Sequence, residues 1–283
     1  NNALVLIAAA DFYYQNCNMR QAVPYARKAL SVIKKDDPLD HVLYLSRLMC
    51  CIGEDEQANA LARDYLNANT CSQTQLAQLA DHFLNLDLIE EAVAVFNTID
   101  ENQLDDFGMA MFGTATLYSG DILGAKAIFI KAFKKNPGNA IAALQLAMLN
   151  VSEGRDERIK QWERLCLTAL SDADKSHLQF ALFHEYDAQN DTKMAFTALD
   201  SANSIRAKMQ PSKSDLVAEL VDDYISRLAT MDFSQEMVVN SDAPVPVFIV
   251  GLPRTGTTLL EKTISQLGDV QAVGENLNFR KSM

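Results

Sequence analysis

Residues 106–139 read DFGMAMFGTATLYSGDILGAKAIFIKAFKKNPGN, and this stretch decides the fold. Met109, Phe112, Gly113 and Thr116 recur at three- and four-residue steps, the spacing of one helix face. Ser119-Gly120-Asp121 breaks that stripe. Ala125, Phe129 and Ala132 open a second one, and Pro137 ends it. The pattern predicts two helices joined by a tight turn. The head of the second stripe recurs along the chain as Ala22, Ala58, Ala92, Ala125 and Ala195, with Ile159 in the fifth slot, at spacings of 36, 34, 33, 34 and 36. A fixed period of this size is the mark of a repeat array and outranks any local reading.

Six candidate units run from Leu4 to Met209. The third carries Ala80, Phe83, Ala92 and Phe96, and the sixth Phe183, Tyr186, Ala195, Leu199 and Ala202. The fifth departs most: Ile159 replaces the small residue, Glu163 stands where an aromatic is expected, and its register is open by a few residues, with Trp162 the candidate to pack there. The pattern resembles the tetratricopeptide repeat, a helix–turn–helix unit. The resemblance implies that the small residue lets the two helices of a unit approach closely, and that the units stack into a curved solenoid with one continuous core. It also implies a protein or peptide partner in a groove lined by the first helix of each unit. In the third, fourth and sixth units the inward positions are Ala77, Asp81, Ala110, Thr114, Phe180 and His184. No Lys/Arg ladder occupies them, which disfavours a clamp on an acidic peptide tail.

After residue 240 the pattern changes. Lys213–Thr230 still reads as helix, with Leu216, Leu220, Tyr224 and Leu228 at steps of four. Ser241-Asp242-Ala243-Pro244-Val245-Pro246 then punctuates the chain, since two prolines so close cannot lie inside a helix. Val247-Phe248-Ile249-Val250 reads as a buried strand, Thr257–Leu267 as a helix stopped by Gly268, and Val270-Gln271-Ala272-Val273 as a second strand. The expected division is a solenoid with a following helix over 1–240 and an α/β unit over 241–283. The fold class is mainly α: a helical solenoid, then the first β-α-β unit of a P-loop-like domain.

Between strand and helix stands Gly251-Leu252-Pro253-Arg254-Thr255-Gly256-Thr257-Thr258. A glycine loop opening a helix turns backbone N–H groups onto a phosphate-type anion. The nucleoside-triphosphate form of such loops reads G-x-x-x-x-G-K-[ST]; here Thr257 replaces the lysine and Arg254 supplies the cation, so ATP with magnesium becomes the less favoured ligand. A degenerate nucleotide kinase and a chance loop remain alternatives. The segment PVFIVGLPRTGTTLLEKTISQLGDVQAVGE resembles the start of a sulfotransferase domain of the tyrosylprotein-sulfotransferase type, marked by P-R-[ST]-G-T-T after an apolar strand and G-E further on. Many bacterial proteins join tetratricopeptide repeats to such a domain, and the segment AFTALDSANSIRAKM looks like their last repeat.

That resemblance implies 3'-phosphoadenosine 5'-phosphosulfate as co-substrate, with Arg254, Thr255, Gly256, Thr257 and Thr258 holding its phosphosulfate. It implies Arg254 and Glu275 as catalytic residues, the cation and the base. A domain of this type needs far more chain after its opening strand, so the expectation is a sulfotransferase when full-length and no activity from these residues alone. The alternative is a non-catalytic tetratricopeptide-repeat scaffold for protein–protein interaction. The acceptor is not legible.

Composition narrows the remaining classes. With 48% hydrophobic residues the chain is no disordered tail. A net charge of −12 argues against nucleic acid and against an anionic membrane surface as partners. Residues 245–283 carry +1, four cations against three carboxylates, which leaves −13 on the rest. No apolar run is long enough for a membrane span, and the opening residues lack the cationic start of a signal peptide, so the expected location is cytoplasmic. Cys17, Cys50, Cys51, Cys71 and Cys166 form no C-x-x-C pair and are expected to be buried free thiols. His177 and His184 share a helix face as surface or groove residues, and no metal is expected.

Overall fold

The computed structural model describes residues 2–16, 18–168, 170–209, 222, 225–226, 229–230, 245, 247–251 and 255–272. The chain divides into two compact units, Asn1–Ser212 and Lys213–Met283.

The first unit is a tetratricopeptide-type solenoid of helix pairs. In order they are α1 (Ala3–Gln15) and α2 (Met19–Leu30), α3 (Leu39–Cys51) and α4 (Asp55–Ala68), and α5 (Gln73–Asn85) and α6 (Ile89–Phe96). Then come α7 (Asp106–Tyr118) and α8 (Ile122–Lys135), α9 (Ala140–Met148) and α10 (Arg155–Cys166), and α11 (Asp172–Ala188) and α12 (Thr192–Met209). Ser119-Gly120-Asp121 forms the turn the sequence predicts, and α8 stops at Lys135, short of Pro137. Gly53, Asp87, Gly120 and Asn190 hold positive φ at the same place in four of the turns, a corner tolerated by glycine, asparagine and aspartate. Helix starts are capped by short polar side chains: Asp105 accepts from the Gly108 N–H at 2.7 Å, Asp121 from Gly124 at 2.9 Å and Asn139 from Ala142 at 2.9 Å.

Ala22, Ala58, Ala92 and Ala125 are fully buried, each at the fourth position of its unit's second helix, and Ala195 is nearly so. Their size sets the helix spacing. In the fourth unit Gly113 completes the approach, since a Cβ there would lie 2.7 Å from the Phe129 ring. Phe96 stacks on Phe112 with centroids 5.3 Å apart, tying the third unit to the fourth.

The fifth unit corrects the expected register. Its turn, 149–154, is twice the length of the three-residue turns in the other units and includes a second left-handed residue, Gly154. Counted from the helix start, Arg158 rather than Ile159 takes the small-residue slot, and Trp162 falls where Phe96 and Phe129 stand in their units. Trp162 is fully buried, edge-on to Phe133 at 5.9 Å, with the Arg158 guanidinium 5.7 Å from its ring centre. A large side chain at the crossing keeps the two helices of a unit apart, and α9 packs on α11 more than on α10.

The core falls into three clusters, one within α1–α4, one running from α3 to α9 and one from α9 to α12; Ile33 and Leu61 pack against the first two and Phe133 against the last two, so they join along the stack. The cysteines also depart from expectation. Cys50, Cys71 and Cys166 are half-buried and Cys51 is exposed, because they sit at the margins of the apolar stripes; Cys17 lies outside the described residues. Ion pairs stitch neighbouring units together, among them Arg27 to Glu54, Arg63 to Glu91 and Lys131 to Glu101. Among the described residues no helix is long and apolar enough to cross a membrane.

In the second unit α13 (Thr257–Ile264) continues as a 3-10 turn, Ser265–Leu267, and ends at Gly268 with φ +98°, as the sequence predicts. The 247–250 and 270–272 segments have no strand pairing among the described residues. A strand exists only with a hydrogen-bonded neighbour, and Val247, Phe248 and Val250 are exposed. The predicted helix over 213–230 lies almost wholly outside the described residues, as does Val273.

Candidate functional site

The loop into α13 has two steric constraints. Gly256 is the N-cap of the helix at φ +93°, a conformation that costs a side-chain-bearing residue about 1–2 kcal/mol. A Cβ on Gly251 would sit 2.7 Å from Thr255 Oγ1 and 3.0 Å from Thr257 Cγ2, so the chain folds back with room only for hydrogen there. The first intrahelical bond runs from the Leu260 N–H to the Gly256 carbonyl at 3.0 Å. The N–H groups of Thr257, Thr258 and Leu259 precede it and face out of the helix end. Gly256 supplies no side-chain cap, and no acidic residue lies in the first turn. Thr255 and Thr258 are exposed and Thr257 is half-buried. Three hydroxyl-bearing side chains and a helix start with neither a side-chain cap from Gly256 nor an acidic first turn can receive a tetrahedral anion. The structure thus gathers Thr255, Gly256, Thr257 and Thr258 at one helix end. Arg254 and Glu275 lie outside the described residues.

On the solenoid, Ala77, Asp81, Thr114, Phe180 and His184 are half-buried on first helices, while Ala110 is fully buried and lines no groove. The reason is local: Ala110 is covered where α7 packs, and it belongs to the core cluster there. Burial raises the Asp81 carboxyl above the ordinary carboxylate range, partly offset by the Arg47 charge. Burial lowers His184 below the usual imidazole value, and its ring lies 4.9 Å from Phe183. The Thr114 hydroxyl donates to the Ala110 carbonyl at 2.9 Å, within its own helix.

The repeat register also identifies inward residues that sequence reasoning passed over. Ile7 and Asp11 precede Ala22 by the same fifteen and eleven residues by which Phe180 and His184 precede Ala195. The offset gives both the places that Phe180 and His184 hold in the sixth unit; Asp11 is half-buried there, whereas Ile7, like Ala110, is buried. Among the described residues no group of His, Cys, Asp and Glu side chains is arranged to hold a metal.

A model of the sulfotransferase family matches residues 246–283, which contain this loop. No curated protein matches the sequence. Solved structures resemble the solenoid in part. The C-terminal part of a TPR repeat-containing protein from Cytophaga hutchinsonii is 16% identical, covering 77% of this chain and 87% of its own, with TM-score 0.47. Pseudomonas aeruginosa pilF is 17% identical over 78% of this chain and 97% of its own, with TM-score 0.47. BtubC from P. vanneervenii is 17% identical over 75% of this chain and 94% of its own, with TM-score 0.49. The pairing of helices along the chain, and not these likenesses, carries the fold.

Proposed function

We propose a sulfotransferase in which residues 241–283 open the donor-binding domain and the solenoid over 1–240 binds the acceptor or a protein partner. The observation that most supports it is the coincidence of the family match over 246–283 with the constrained loop of Gly251 and Thr255–Thr258. The donor is 3'-phosphoadenosine 5'-phosphosulfate, which supplies the sulfuryl group and leaves as the 3',5'-bisphosphate when its sulfur–oxygen bond breaks and the acceptor oxygen–sulfur bond forms. The first-turn N–H groups of α13 and the threonine hydroxyls beside them suit its phosphosulfate. Thr255, Thr257 and Thr258 donate hydroxyl hydrogen bonds, and Arg254 neutralises charge on the bridging oxygen. Glu275 takes the acceptor proton; a phenolic acceptor, with a pKa of about 10, needs such a base near neutral pH.

The test uses the complete gene product and radiolabelled donor. Arg254→Ala is expected to slow sulfuryl transfer by roughly 10²–10³-fold, the usual effect of removing one stabiliser of developing charge. Glu275→Gln is expected to lose turnover while equilibrium binding of the 3',5'-bisphosphate stays. Unchanged turnover in both variants would remove these residues from the chemistry. Absence of donor binding in the complete product, with a protein partner still bound by the solenoid, would favour the scaffold reading.

A further inference from the structure

An open groove of about 570 Å³ runs between α1 and α3, the first helices of the first two units. That volume lies in the range of ligand clefts. Its walls carry Leu4, Ile7, Phe12 and Tyr44, and its polar edge carries Asp11 and Asp40. Three of the apolar residues are open to solvent: Phe12 is 63% exposed, Leu4 45% and Tyr44 41%. Ile7 and Asp11 hold the inward positions of the repeat.

Charge decides what fits. No Lys or Arg lines the groove. Asp11 accepts from Gln15 Nε2 at 3.3 Å, and burial together with the Asp11 charge holds the Tyr44 hydroxyl above its ordinary pKa, so the carboxylate stands at the apolar wall. Arg47, one turn beyond Tyr44 on α3, lies outside the lining, although its charge reaches Tyr44. We infer that the α1–α3 groove binds a protein segment in which apolar residues are accompanied by lysine or arginine. Apolar side chains of the segment cover Phe12, Leu4 and Tyr44, while the methylene stems of its lysines or arginines lie along the same walls and place their cations at Asp11 and Asp40. A small polyamine meets the charges but leaves the exposed rings uncovered, so a peptide fits better. The solenoid's net negative charge draws such a segment in. This rests on the partner-binding half of the proposed function and on nothing in the second unit.

The probe is a fluorescein-labelled octapeptide alternating leucine and lysine, set against a leucine–glutamate twin and a serine–lysine twin. Binding to the whole chain is read by fluorescence anisotropy in about 0.15 M salt, where long-range attraction is screened within about 8 Å. Both twins are expected to bind at least about tenfold more weakly than the leucine–lysine peptide. Asp11→Asn with Asp40→Asn is expected to weaken the leucine–lysine peptide by about tenfold, as is Leu4→Ser with Phe12→Ser. Asp36→Asn with Asp200→Asn, which removes the same charge from exposed positions off the groove, should change binding by less than about twofold. Circular dichroism of each variant checks that it folds.

Equal losses from the groove pair and the off-groove pair would overturn the inference, as would equal binding of the glutamate twin. In both cases partner binding by the solenoid would survive. If no peptide of either sign binds, the partner-binding half of the proposed function falls with it. A chain that pairs with itself in light scattering, and becomes monomeric with Leu4→Ser and Phe12→Ser, assigns the groove to a second copy and overturns the inference.

Discussion

His82 shows what a single buried side chain contributes to the joint between repeats. Its Nε2 lies 2.8 Å from Ser46 Oγ, and that hydroxyl donates to the Ala58 carbonyl at 2.8 Å, so the ring donates to Ser46. The contact joins the second unit to the third inside the core. Burial, with help from the Arg47 charge, lowers the imidazole from 6.5 to about 4. The folded chain therefore keeps His82 neutral where the unfolded chain takes a proton, and the unfolded state binds more protons below pH 6.5. Stability is then full above that pH and falls as pH drops towards 4, by about 3 kcal/mol for a shift of this size. Half-buried His177 and His184 shift in the same direction, so the measurement is a comparison. Urea unfolding between pH 7 and 4 is expected to show a shallower pH slope in His82→Gln than in the parent, by about one proton. Equal slopes would mean that His82 takes up its proton in the folded state.

Between elements, the joint of the fifth and sixth units is built differently from the rest. Glu185, fully buried on α11, accepts from Arg155 Nε at 2.6 Å and from Arg158 Nη2 at 2.6 Å, both on α10. Arg158 also donates to the Val151 and Glu153 carbonyls of the long turn, so one guanidinium holds turn, helix and neighbour. Removing one member of such a buried cluster strands the others. Glu185→Ala is expected to cost about 3–5 kcal/mol in urea unfolding, and Arg158→Met in the same chain to recover most of it. A loss below about 1 kcal/mol would show that apolar packing alone holds this joint. The same joint marks where the sequence stopped being legible. Ala22, Ala58, Ala92, Ala125 and Ala195 could be read because a small residue in a helical stripe has one meaning. The fifth unit could not, because three extra turn residues and an arginine in the small slot disguise its register. Its partner Glu185 lies 27 residues away and nothing local announces the pair. At the loop, Gly256 was readable from its place before a helix, whereas the crowding of Gly251 by Thr255 and Thr257 appears only in three dimensions.

At the scale of the whole molecule, the contacts of the solenoid among the described residues are almost all between neighbouring helices and units, so the array should fold without the C-terminal unit. A fragment of residues 1–240 is expected to keep the helical circular dichroism and the cooperative thermal transition that the solenoid has in the full chain. Loss of most of that signal would count against a boundary near residue 240. The uneven fifth unit has a mechanical consequence for this array. In the first four units the second helix packs both on its own partner and on the next unit, but here α9 touches α8 on one side and α11 on the other, while α10 rests chiefly on α11 at the end of a long turn. Tension along the stack therefore runs chiefly from α8 through α9 into α11, and α10 shares it through side chains alone: Trp162 against Phe133 of α8 and Arg158 on Glu185 of α11.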